Sequence, residues 1–129
     1  MAREWACCTA LGVIALGCLA PSAWADDDLA AARALAVSHC SQCHTFGQGE
    51  PHGQGPNLFG LIGRQAGSAV GFHYSERFKA ALGGRAWDAA LLDRWLTDTQ
   101  ALAPGTGMVY WQDDAAKRAT LIRYLASLH

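Results

Sequence analysis

Lysine is almost absent from this chain: Lys79 and Lys117 are the only two among 129 residues. Ten Lys and Arg stand against eleven Asp and Glu, a formal net charge of −1 at pH 7. The basic residues are scattered, which excludes nucleic acid as a partner, because gripping a polyanion needs clustered cations. Any docking face must rely on arginine or carry little charge. There is no alternating apolar–polar run of strand length and no internal repeat. The longest apolar run, Trp5 to Ala20, is interrupted only by Thr9 and is short for a membrane-spanning helix.

Spare cysteine is lacking too. Of the five cysteines, Cys7, Cys8 and Cys18 lie in an N-terminal stretch that reads as a targeting segment. Arg3 gives it a positive start weakened by Glu4, the apolar run follows, and Ala23-Trp24-Ala25 has the small-x-small form of a signal-peptidase site. The expectation is a signal peptide of residues 1–25, cleaved after Ala25, and a periplasmic chain opening at Asp26-Asp27-Asp28. A retained anchor, or a lipid-modified Cys18 after cleavage at Gly17, is the competing reading. Residues 26–129 then form one domain. That domain keeps only Cys40 and Cys43, so export does not here imply a disulfide scaffold.

What the chain does have is Cys40-Ser41-Gln42-Cys43-His44. Two thiols at this spacing can add to the two vinyl groups of a protoporphyrin, while the adjacent imidazole reaches the iron. This predicts one covalent haem c through Cys40 and Cys43, with His44 as a metal ligand. A bare C-x-x-C could also be a redox dithiol, but that chemistry normally sits beside a strand–helix unit, which is missing. Half of a zinc site is the other alternative, with His52 near enough in sequence to contribute. Covalent haem would give the short helices a flat apolar body to pack around, so the chain without it is expected to fold incompletely.

The spacing of apolar residues predicts helices over Asp28–His39, Ser75–Leu82 and Trp87–Asp98, and a final helix started by Asp113-Asp114. Between Thr45 and Gly71, eight glycines exclude a long helix. A flexible linker is one reading of so much glycine. Leu58, Phe59, Leu61 and Ile62 are interleaved with it, which fits better a loop wrapped on a flat cofactor. The second iron ligand must come from Met108, His39, His52, His73 or His129. Met108 is the only methionine after residue 25. It follows Pro104-Gly105-Thr106-Gly107, a turn that can project it inward.

From Asp28 to His129 the chain resembles the class I cytochromes c of the mitochondrial and bacterial periplasmic shuttle type. The resemblance is carried in order by the haem motif, Gly55-Pro56-Asn57-Leu58-x-Gly60, Gly63-Arg64, Gly71-Phe72-x-Tyr74, Trp87 and Pro104-Gly105-Thr106-Gly107-Met108. It implies an all-α fold of short helices and long ordered loops wrapped around one haem. It implies His44 and Met108 as axial ligands, and a Pro56 carbonyl that accepts the free imidazole N–H. Tyr74 and Trp87 would donate to a buried propionate, and Arg64 would compensate its charge. Leu121 and Tyr124 should face the first helix.

Several positions depart from that pattern. Gly107 stands where mitochondrial members usually carry lysine, and Phe78 where a polar residue is usual, which should dry that side of the pocket. Thr99 replaces a common proline, an expected loosening of the methionine loop. Ala36 replaces a larger aromatic, shifting the helix contact toward Leu35 or closing it. Trp111 is either core packing or an exposed docking aromatic.

The implied function is one-electron transfer as a monomer, between transient protein donors and acceptors, without stable membrane insertion and without enzymatic activity. A dedicated electron-transfer subunit of a larger periplasmic dehydrogenase or oxidase is the alternative. A small haem peroxidase or a gas sensor is a more distant one.

Overall fold

The computed structural model describes residues 23–129, and the side chains from Asp27 onward. Most of the expected signal peptide, residues 1–22, lies outside the described residues. Five helices follow one another: α1 (Ala23–Cys40), α2 (Glu76–Leu82), α3 (Ala89–Thr97), α4 (Thr99–Leu102) and α5 (Ala115–Ala126). Among the described residues extended pairing is limited to two isolated antiparallel bridges, Gln65 with Ala86 and Asp98 with Trp111. The fold is therefore all-α.

Most of these helices are too short to hold their shape alone, and each start after α1 is fixed by a side chain. Ser75 accepts from Phe78 N–H at the start of α2, and Asp88 from Leu91 N–H at 2.7 Å at the start of α3. Asp98 caps α4 and Asp114 caps α5, each taking two backbone N–H groups. These oxygens satisfy donors that the first turn of a helix leaves without partners. Ser75 and Trp87, expected inside helices, thus lie just before α2 and α3, while α1 starts earlier than Asp28. The short α4 was not foreseen: Thr99-Gln100-Ala101-Leu102 is one turn, visible only once its cap is known.

Packing comes from α1 against α5, with α3 laid on α5 and α4 on α3. On α1, Ala32 and Ala36 are fully buried while Leu35 is only half-buried. The small side chains bring the helices together, so the contact closes instead of shifting to Leu35. Leu121, Tyr124 and Leu125 of α5 are buried in the same core as Ala32 and Ala36. Phe46, just past the haem motif, meets the Tyr124 ring edge-on at 5.6 Å. Arg118 of α5 reaches Asp93 of α3 at 2.8 Å.

The glycine-rich segment is not a linker. Leu58 and Leu61 are buried, and buried Asn57 ties the loop internally. Its Nδ2 donates to Thr45 Oγ1 and to Gly47 O, and its Oδ1 accepts from Phe59 N–H. Further on, Gly63 N–H donates to Trp87 O and Trp87 N–H to Arg64 O, fastening the loop to the entrance of α3. One end of the loop meets the last turns of the chain, where Gly60 N–H donates to Leu128 O at 2.7 Å. Helices and loop together surround a large cavity.

Candidate functional site

A cavity of ≈ 580 Å³ is walled by Cys40, Cys43, His44, Pro56, Arg64, Tyr74, Trp87 and Met108, with apolar Leu58, Leu61, Phe78, Leu92, Trp95 and Leu96 filling in between. That volume is in the range of small-molecule and cofactor sites. All eight residues singled out in the sequence meet there, from five different parts of the chain.

The end of α1 continues into the motif through a helical turn, since His44 N–H still donates to Cys40 O at 2.9 Å. This sets Cys40, Cys43 and His44 on one side of the cavity. His44 Nδ1–H donates to Pro56 O at 2.7 Å, which leaves Nε2 as the free ring nitrogen. Gly55 allows this approach: a Cβ there would overlap the His44 ring. Burial lowers the His44 pKa below its ordinary 6.5, and the bond to Pro56 offsets only part of that. The imidazole is thus neutral at pH 7, with Nε2 free of a protein partner.

Burial, helped by the neighbouring Cys43, pushes the Cys40 thiol up to about 11. A reactive dithiol is favoured by the opposite shift. The zinc reading fails on His52. Its Nδ1 accepts from Asn57 N–H and its Nε2 donates to Val70 O, both at 2.9 Å, so neither ring nitrogen is left for a metal. Among the described residues no group of three or more His, Cys, Asp and Glu side chains could hold a metal ion.

Of the other second-ligand candidates, His39 is exposed and lies 3.1 Å from the Tyr110 hydroxyl through Nδ1. His73 is exposed at the cavity wall, and His129 is exposed at the chain end beside Ala126 O. Met108 is half-buried against the core and offers the cavity a neutral thioether.

Phe78 is buried in an aromatic wall. It stacks on Tyr74 at 5.0 Å and meets Trp95 edge-on at 5.6 Å, with Trp87 packed against Trp95 at 6.1 Å. This side of the cavity is apolar, in keeping with the loss of the usual polar residue. Tyr74 keeps its proton, its phenol raised above 10 chiefly by burial. Among the described residues Arg64 is the one formally charged side chain other than histidine in the cavity wall. It also donates to Phe59 O and Asn57 O, so it braces the loop it belongs to. Trp111 resolves as exposed, at 70 % of its surface.

One expectation is overturned. Thr99 does not loosen the methionine loop. It is fully buried, its hydroxyl donates to Met108 O at 2.7 Å, and its oxygen accepts from Tyr110 N–H at 3.0 Å. A proline could make neither side-chain bond nor the donation from Thr99 N–H to Tyr110 O. Neighbouring Gln100 adds a second tie. Gln100 escaped the sequence reading and Thr99 figured there only as a loosening, because α4 is too short to show periodicity.

An all-α chain that brings a C-x-x-C-H pentapeptide and a loop methionine to one apolar cavity defines a class of small haem-binding proteins. No family profile matches the chain. It is similar, though, to cytochrome c-550 of Novispirillum itersonii, with 44 % identity over 108 residues, spanning 77 % of this chain and 97 % of that protein. It is also similar to cytochrome c2 of Rhodoplanes tepidamans, 42 % identical over 80 residues and covering 62 % and 73 % of the two chains. Cytochrome c of Chlamydomonas reinhardtii is 39 % identical over 99 residues, covering 76 % and 87 %. The chain belongs to the class I cytochrome c family.

Proposed function

We propose that the chain is a periplasmic one-electron carrier holding one haem c, bonded through Cys40 and Cys43 and ligated by His44 and Met108. The observation that carries this reading is the His44 ring, pinned by its 2.7 Å bond to Pro56 O in the wall of a cavity that Met108 also lines. When bound, the haem supplies an iron that alternates between ferric and ferrous states.

The residues fit that group. A buried neutral imidazole and a thioether are both uncharged donors, so neither has to gain or lose a proton when the iron changes charge. Bonding to Pro56 fixes the His44 tautomer and strengthens Nε2 as a donor. Tyr74 and Trp87 can donate to a propionate while Arg64 compensates its charge. Phe78, Trp95 and Leu61 exclude water, which limits reorganisation during transfer. With two protein ligands on the iron, a substrate has no ready route to it, and this separates a carrier from a peroxidase.

Partners are redox proteins that bind briefly as donor and acceptor, at a rim whose Gln42, Gln54, Gly107 and Val109 are uncharged. Among the described residues no helix is long and apolar enough to cross a membrane. A monomer released by cleavage after Ala25 suits that role.

The test is to denature the haem-loaded protein, weigh it, and titrate the folded form electrochemically. The expected results are a haem retained through denaturation, lost when both Cys40 and Cys43 become alanine, and a reversible single-electron wave. A haem that dissociates on denaturation, or a mature mass inconsistent with residues 26–129, would contradict the attachment or the processing respectively.

A further inference from the structure

We infer that Thr99 and Gln100 of the one-turn helix α4 are positioning residues for Met108, clamping its backbone so that its thioether stays directed at the cofactor. The inference rests on the reading of Met108 as the second axial ligand. The Met108 carbonyl receives two hydrogen bonds from α4, from the Thr99 hydroxyl at 2.7 Å and from Gln100 Nε2 at 2.9 Å. Thr99 Oγ1 accepts in turn from Tyr110 N–H at 3.0 Å. Gln100 uses both ends of its amide: Nε2 also reaches Thr106 O at 3.1 Å, and Oε1 accepts from Gly105 N–H at 3.0 Å. Backbone groups of residues 105, 106, 108 and 110 therefore end on two adjacent side chains.

The clamp has its own support. Asp98 fixes α4 by accepting from Gln100 N–H at 2.8 Å and Ala101 N–H at 3.1 Å. Thr99 is 0 % exposed, so water cannot replace its hydroxyl without the segment opening. Because the clamp grips backbone and not sulfur, it leaves the chemistry of the thioether alone. What it opposes is departure of the loop: an external ligand that displaces Met108 has to break these bonds as well. Loss of the clamp therefore appears as easier displacement.

The experiment titrates the ferric, haem-loaded protein with imidazole, following the long-wavelength sulfur-to-iron band, in five forms: wild type, Thr99→Val, Thr99→Ser, Gln100→Met and Ile122→Ala. Losing a buried hydrogen bond of ordinary strength should tighten imidazole binding by about tenfold in Thr99→Val and Gln100→Met. Thr99→Ser, which keeps the hydroxyl, should bind as wild type does. Ile122→Ala, on α5 away from the loop, should unfold more easily yet bind imidazole unchanged. If Thr99→Val does not take up haem, Gln100→Met decides alone. Wild-type imidazole affinity in the clamp variants, or an equal gain in Ile122→Ala, would overturn the inference. A wild-type protein without the sulfur band would instead sink the axial assignment on which it rests.

Discussion

The segments on the two sides of the cavity, Cys40 to Arg64 and Ala103 to Gln112, are held in opposite ways. The first is tied mainly to itself: His44 to Pro56, Asn57 to Thr45 and Gly47, and Arg64 to Phe59. The second has few such bonds of its own and leans on Thr99 and Gln100, which precede it in the chain. A self-tied segment keeps its form when a neighbour changes. A leaning one transmits any change in its support to Met108. The comparison suggests that the His44 side is the fixed half of the site and the Met108 side the adjustable half.

The most damaging change should be Gly55→Ala, since its Cβ overlaps the His44 ring. It should abolish His44 ligation, read as loss of the low-spin spectrum or failure to incorporate haem. If Gly55→Ala were spectrally normal, the His44 side would not be rigid. Asn57→Ala comes next, because it strips partners from Thr45, Gly47 and Phe59. A loss of about 2–3 kcal/mol in denaturant unfolding is expected, with imidazole affinity at the iron unchanged. A large change in that affinity would erase the distinction between the two sides. Smallest is Asp114→Ala, which removes the cap of α5 and should cost about 1 kcal/mol with no spectral effect.

Acid provides a further probe of the fixed side. With His44 depressed below 6.5, the unfolded chain binds the proton first as pH falls. Stability from this group is full above pH 6.5 and is lost progressively below it. Unfolding midpoints should therefore fall from pH 7 toward pH 5, and flat or rising midpoints would show that His44 is not held neutral.

How much of this was legible in the sequence depends on what each residue does. That Cys40, Cys43 and His44 share one site could be expected from their C-x-x-C-H spacing, and all three line the cavity. Met108, alone behind a Pro-Gly turn, was expected to project inward, and it lines the same cavity. Leu91, Leu92, Trp95 and Leu96 gave α3 away by their spacing, and all four are buried. Thr99 was misread because its identity signals nothing by itself. A threonine in place of a ring suggests flexibility until its hydroxyl is seen to bond the methionine backbone. The contact at Ala36 was left open for a similar reason, since how closely α1 and α5 approach is a property of both helices.

The central claim is tested most directly by the optical spectrum of the oxidised, haem-loaded protein at neutral pH, beside that of Met108→Ala. The account predicts the weak long-wavelength sulfur-to-iron band in the wild type and its disappearance in the variant, with His44 ligation kept. A wild-type spectrum of high-spin iron, or of two nitrogen ligands, would contradict it.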